Sequence, residues 1–123
     1  MSLVEKQQHF MKLLPRLLDK AHDLGFEVTG GELERSQAAA DANAAAGVGI
    51  RNSLHLLRLA IDLHLFKDLD GDGLPEYLID SEDYRELGEW WEAQSTPEAE
   101  CCWGGRFTRA DGNHFSVSHN GVK

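Results

Sequence analysis

The chain has 123 residues, 41% of them hydrophobic and 27% charged, with 21 acidic against 12 basic side chains and a formal charge of −9. That length suits one domain with a real core and leaves no room for a catalytic domain plus a separate binding module. The acidic balance argues against nucleic-acid or anionic-membrane binding, which needs a basic face, and the apolar stretches fall far short of a membrane span. Near the start, leucines are interleaved with Glu5, Lys6, Gln7, Gln8 and Lys12 instead of forming the continuous apolar block of a secretory signal. Synthesis in a cytoplasm is therefore expected. Cys101 and Cys102 are neighbours, poor geometry for a disulfide, and no second cysteine pair exists to complete a thiolate metal site. Free thiols, buried or partly buried, are the expectation.

In chain order, residues 4–24 place Phe10, Leu13, Leu14, Leu17, Leu18, Ala21 and Leu24 at helical steps, with Gly25 as the stop signal. Pro15 lies inside this stripe and should kink the helix or split it in two. Residues 26–29 alternate like a short strand ended by Gly30 and Gly31. Residues 34–46 are alanine-rich and helix-favouring, closed by Gly47, and read as a small-residue packing face. The segment 57–66 sets the architecture. Leu57, Leu59, Ile61, Leu63 and Leu65 alternate with Arg58, Ala60, Asp62, His64 and Phe66, which puts five aliphatics on one strand face and Asp62 on the other.

Residues 68–73 then read as a turn and 76–79 as its hairpin return. Ser81 is placed to cap a helix running to about residue 94, with Glu82 and Asp83 in its first turn. Tyr84, Leu87, Trp90 and Trp91 form its apolar side, one tryptophan buried and the other half-exposed. Residues 113–118 read as a last strand. The sum is an α+β fold, a small antiparallel sheet packed against several helices in a single domain over residues 1–123.

Three residues carry the chemistry: His55, Asp62 and His114. Two histidines and a carboxylate match the ligand set of an open, catalytic zinc, which keeps a fourth position for water. A lone histidine near an apolar strand is more often a core residue than a ligand; the case rests on the arrangement. Asp62 leaves the polar face of its strand, His55 lies just before that strand, and His114 begins another. His64 shares the face of Asp62, so pattern alone does not exclude it. His119 should sit at the surface, and His9 and His22 fall on the polar margins of the first helix. Asp111, three residues before His114, reads equally as turn chemistry in Asp-Gly-Asn and as a general base. Asp68, Asp70, Asp72 and Gly73 copy the opening of an EF-hand loop, but the twelfth position is Ile79, with Asp80 one step late. A solvated hairpin turn is expected there, and a weak calcium site is the alternative.

The chain resembles the zinc peptidases of bacterial cell walls, the family of D-alanyl-D-alanine carboxypeptidases and of the L-alanyl-D-glutamate peptidases of phage endolysins. Their pattern is Ser-x-His-x-x-Gly-x-Ala-x-Asp, followed later by Trp-Gly-Gly and Asp-x-x-His-Phe. Ser53, His55, Ala60, Asp62, Trp103, Gly104, Gly105, Asp111, His114 and Phe115 stand at matching spacings, and Gly30, Gly31 and Arg35 extend the likeness upstream. The resemblance implies one zinc ion on His55, Asp62 and His114, with Asp111 as general base. It implies Arg35 and Ser53 as holders of a substrate carboxylate or of the developing oxyanion. Two departures stand out: Arg58 replaces the family glycine, and the spacing in Arg35-Ser36-Gln37 is shorter than usual. The implied function is hydrolysis of a peptide bond in the stem peptides of peptidoglycan by a monomeric phage endolysin, made in a host cytoplasm and acting at the wall or periplasm after release. The alternatives are a D-alanyl-D-alanine carboxypeptidase and a catalytically silent wall-binding module of the same fold.

Overall fold

The computed structural model describes residues 1–31 and 54–123; Arg35, Ser53 and the alanine-rich stretch 34–46 lie outside the described residues. Helix α1 (Leu3–Asp23) opens on a capping box in which Ser2 and Glu5 exchange backbone and side-chain hydrogen bonds. The Ser2 backbone N–H, donating to the Glu5 carboxylate, holds that group below its ordinary range. Phe10, Leu13, Leu17 and Ala21 are the buried positions of the stripe. The helix ends in a Schellman closure: Gly25 adopts φ +91°, its N–H reaches the His22 carbonyl, and the Phe26 N–H reaches the Ala21 carbonyl at 3.1 Å. Pro15 does not split α1, which runs unbroken through it. Pro15 and Met11 are both exposed, so the carbonyl that Pro15 leaves without an amide donor lies on the hydrated side of the helix.

Five antiparallel strands follow among the described residues: β1 (Glu27–Gly30), β2 (Ala60–Lys67), β3 (Glu76–Tyr77), β4 (Cys101–Trp103) and β5 (His114–Val117). The order is β1-β2-β5-β4, with β3 also paired to β2. The central strand β2 organises the rest. Ile61, Leu63 and Leu65 are buried while Asp62, His64 and Phe66 are half-buried, the alternation expected of a strand covering a core. β1 lines one edge of β2, with Glu27 opposite Phe66 and Gly30 opposite Leu63. The other edge is shared. β5 takes its first half, with Asp62 opposite His114, and β3 its end, with Phe66 opposite Tyr77. The sheet is thus parted beside His64.

Three expectations need correction. β2 starts at Ala60 and not at Leu57, because Leu54–Leu57 forms a 3-10 turn and Arg58 takes a left-handed conformation at φ +55°. The hairpin return has two residues instead of four. The helix expected over residues 81–94 is divided into a 3-10 turn, Ser81–Tyr84, and α2 (Arg85–Ala93). Asp80, not Ser81, holds the capping position, and it makes no side-chain cap. The Ser81 hydroxyl instead accepts the Gly112 N–H at 3.0 Å.

The core lies between the sheet, α1 and α2. Trp91 is fully buried and Trp90 partly so. Trp91 packs edge-on between Phe10 and Phe115, at ring separations of 6.0 and 6.4 Å, and its indole N–H donates to the Ser116 carbonyl at 3.0 Å. The buried Tyr84 hydroxyl donates to the Leu78 carbonyl and accepts from the Leu65 N–H, tying the 3-10 turn to β2. Cys101 and Cys102 are free and buried.

Candidate metal centre

His55 lies in the 3-10 turn before β2. That turn repeats the closure seen at the end of α1: the Arg58 N–H points to the His55 carbonyl and the Leu59 N–H donates to the Leu54 carbonyl at 3.0 Å. Arg58 fills the place that glycine fills in α1, at a left-handed cost of about 1–2 kcal/mol for a residue with a Cβ. The position takes positive φ, which a glycine would adopt without that cost. Gln7 anchors the same turn to α1, its side-chain amide donating to the Leu57 carbonyl at 2.7 Å.

Asp62 and His114 are direct partners across β2 and β5. His55 Nε2 lies 3.5 Å and His114 Nδ1 3.9 Å from Asp62 Oδ1, and one donor atom from each of the three residues falls within 4.8 Å of the others. Both histidines are buried, at 3% and 6% exposure, while the Asp62 side chain keeps 23%. Zinc bonds of about 2.0–2.1 Å in tetrahedral directions separate their ligand atoms by about 3.4 Å. The observed separations come close to that. Asp62 Oδ1 is buried without a hydrogen bond among the described residues, which is costly unless a cation compensates it. The donor set fits zinc. His64 is not part of it; its Nδ1 faces the Tyr77 hydroxyl at 3.2 Å. His119 lies apart, its Nδ1 3.3 Å from Lys6 Nζ.

Asp111 stands, exposed, on the turn that leads into His114. Its N–H donates to the Gly104 carbonyl at 2.9 Å, and its carbonyl accepts the His114 N–H at 3.1 Å. The Trp-Gly-Gly segment supports this turn from below. The Trp103 indole N–H donates to the Gly112 carbonyl at 2.7 Å. A Cβ on Gly104 would stand 2.1 Å from the Asp111 carbonyl oxygen, and one on Gly105 2.2 Å from the Trp103 ring, so neither position admits a side chain. Gly88 of α2 makes the same room from the other side. Arg85 and Arg106 each lie 5.5 Å from the Trp103 ring centroid. Asp111, Ser81 and Tyr77 line a cleft of about 190 Å³ beside the place where β2 changes partner.

The acidic turn is a second group of oxygens. Asp68, Asp70, Asp72 and Glu76 bring carboxylate atoms within 4.8 Å of one another. Glu76 was not anticipated from the EF-hand pattern. The carboxylates already serve the turn: Asp68 accepts from the Gly71 and Gly73 N–H groups, Asp70 from Asp72, Asp72 from Leu74, and Glu76 from Leu69. The Asp72 backbone N–H holds the Asp70 carboxyl below its ordinary value. Gly71 and Gly73 supply the positive φ that the bend requires.

Sequence reasoning did not foresee the roles of Ser81 or of the Trp103 indole in holding the Asp111 turn. Arg35 and Ser53, expected at the substrate, lie outside the described residues. No helix of the described residues is long and apolar enough to cross a membrane.

No family model and no curated protein matches the chain. Among solved structures, the fold is similar to that of an endopeptidase. That protein is the L-Ala D-Glu endopeptidase ChiX of Serratia marcescens, at a TM-score of 0.58 and 22% identity, covering 85% of this chain and 77% of that one. A likeness at this identity shows the fold.

Proposed function

We propose that this chain is a zinc-dependent peptidase that hydrolyses a peptide bond in the stem peptides of peptidoglycan, of the L-alanyl-D-glutamate type found in phage endolysins. The observation that carries the reading is the convergence of His55, Asp62 and His114 on one point, with an exposed carboxylate on the turn leading into the third of them. The fold shared with ChiX and the spacing of the two motifs support it.

His55, Asp62 and His114 would hold the ion, which when bound supplies Lewis acidity and a water acidic enough to ionise near neutral pH. Asp111 takes the proton of the attacking water and returns it to the leaving amine, a role typically worth about 10²- to 10⁴-fold in rate. Asp111 is exposed at the rim of the cleft, where substrate can reach it. Arg35 and Ser53 are assigned the substrate carboxylate or the oxyanion. Arg58, the departure that favours a silent binding module, adopts the backbone conformation a glycine would.

Substituting Asp111→Asn should leave zinc content at one per chain and lower turnover of muropeptides by about 10²-fold or more. Full activity in that variant would remove Asp111 as the base. Release of free D-alanine from intact muropeptides would identify a carboxypeptidase instead. Stoichiometric zinc with no cleavage of any wall fragment would identify a binding module.

A further inference from the structure

We propose that Ser81 is a positioning residue for Asp111, fixing its carboxylate through the peptide plane attached to its Cα; this rests on the reading of Asp111 as base. The Gly112 N–H and the Asp111 carbonyl belong to one rigid peptide unit. Its oxygen end accepts the His114 N–H at 3.1 Å, and its N–H end donates to Ser81 Oγ at 3.0 Å. The plane is therefore held at both ends, by a residue of the metal centre on one side and by Ser81 on the other. Its orientation sets ψ of Asp111 and so the direction in which the carboxylate leaves the chain.

The two flanking peptide planes are held by other groups. The Asp111 N–H, in the preceding peptide plane, is held by the Gly104 carbonyl, and the Gly112 carbonyl, in the following one, by the Trp103 indole. Ser81 is 31 residues away along the chain, at the start of its own 3-10 turn, where it caps nothing. The fit is close. A Cβ on Gly112 would lie 2.6 Å from the Ser81 Cα and 2.9 Å from Oγ, so glycine at 112 is what lets the hydroxyl reach the amide. Ser81 and Asp111 line the same cleft, so this support lies beside the proposed base and not in the distant core.

The test combines kinetics with amide hydrogen exchange in the zinc-loaded protein. Ser81→Ala is expected to lower kcat about 10- to 100-fold, the scale of a small misplacement of a reacting group, with KM and zinc per chain unchanged. Ser81→Thr, which keeps the acceptor oxygen, should recover most of the loss. In Ser81→Ala the Gly112 amide should exchange at least about tenfold faster, while the His114 amide and the Trp103 indole N–H keep their protection. Turnover within twofold of the unsubstituted protein, alongside an inactive Asp111→Asn, would overturn the proposal and leave the peptidase reading standing. If Asp111→Asn retains turnover, that reading fails separately, and Gly112 exchange alone then decides whether Ser81 holds the turn. An unprotected Gly112 amide in the unsubstituted protein overturns the proposal without any variant.

Discussion

Among the described residues, two groups of side chains gather potential cation ligands, and they are held in opposite ways. His55, Asp62 and His114 are fixed by a 3-10 turn and two paired strands, with both imidazoles buried and one Asp62 oxygen lacking a hydrogen bond among the described residues. Asp68, Asp70, Asp72 and Glu76 sit on a turn, the three aspartates exposed, with their carboxylates engaged by the amides of the turn itself. Proximity is common to both. In the first, a 3-10 turn and two paired strands hold the donors in a largely buried place; in the second, the local backbone has already answered the charge.

The largest expected effect separates the two directly. His114→Ala should remove stoichiometric zinc and lower turnover by about 10³-fold or more, whereas Asp70→Asn should change neither. Zinc at 100 times its dissociation constant should stabilise the unsubstituted protein and Asp70→Asn alike by about 2.7 kcal/mol, and His114→Ala hardly at all, as thermal melts would read. A loss of zinc in Asp70→Asn equal to that in His114→Ala would dissolve the distinction.

A second effect tests whether burial alone makes a ligand. Burial pushes the Cys101 thiol up to about 11 and the Cys102 thiol up to about 12, so both stay protonated where zinc-binding thiolates would be ionised. At pH 8 both should resist alkylation in the folded protein and react on unfolding. Because each folded pKa lies above the ordinary value of 9, the folded state binds these protons more tightly than the unfolded chain does. Their contribution to stability is therefore complete below pH 9 and eroded as pH climbs from 9 toward 11 and 12. A denaturation midpoint that stays flat across that window would contradict the assignment.

The smallest effect concerns the turn that holds His55. Arg58→Gly should raise stability by about 1 kcal/mol, measured by urea titration, and leave zinc content unchanged, since it relieves a left-handed conformation without touching a ligand. A destabilised protein would mean that the arginine side chain makes contacts worth more than the strain.

Much of this was readable from residue order. The stripe from Phe10 to Ala21, its glycine stop and the two-residue alternation around Asp62 are local patterns, and local patterns survive folding. The meeting of His55, Asp62 and His114 is legible through their motifs. What was not legible depended on contacts between distant segments or on backbone dihedrals. The start of β2 was misplaced because Leu57 and Leu59 keep the period while Arg58 breaks the strand through φ, which no side-chain pattern records. Serine before acidic residues is a helix-cap signal, but the Ser81 hydroxyl serves an amide 31 residues away. Pro15 signals a kink or a split, but α1 runs through it unsplit, with the turn that it disturbs exposed to water.

The dependence of three strands on β2 makes this domain intolerant of insertions in one short stretch. One extra residue between Arg58 and Asp62 would reverse the facing of everything downstream in the strand, sending a carboxylate into the oily interior and leucines toward water. Length polymorphism among descendants of this gene should therefore gather in the hairpin beyond Lys67 and leave those few codons fixed in number.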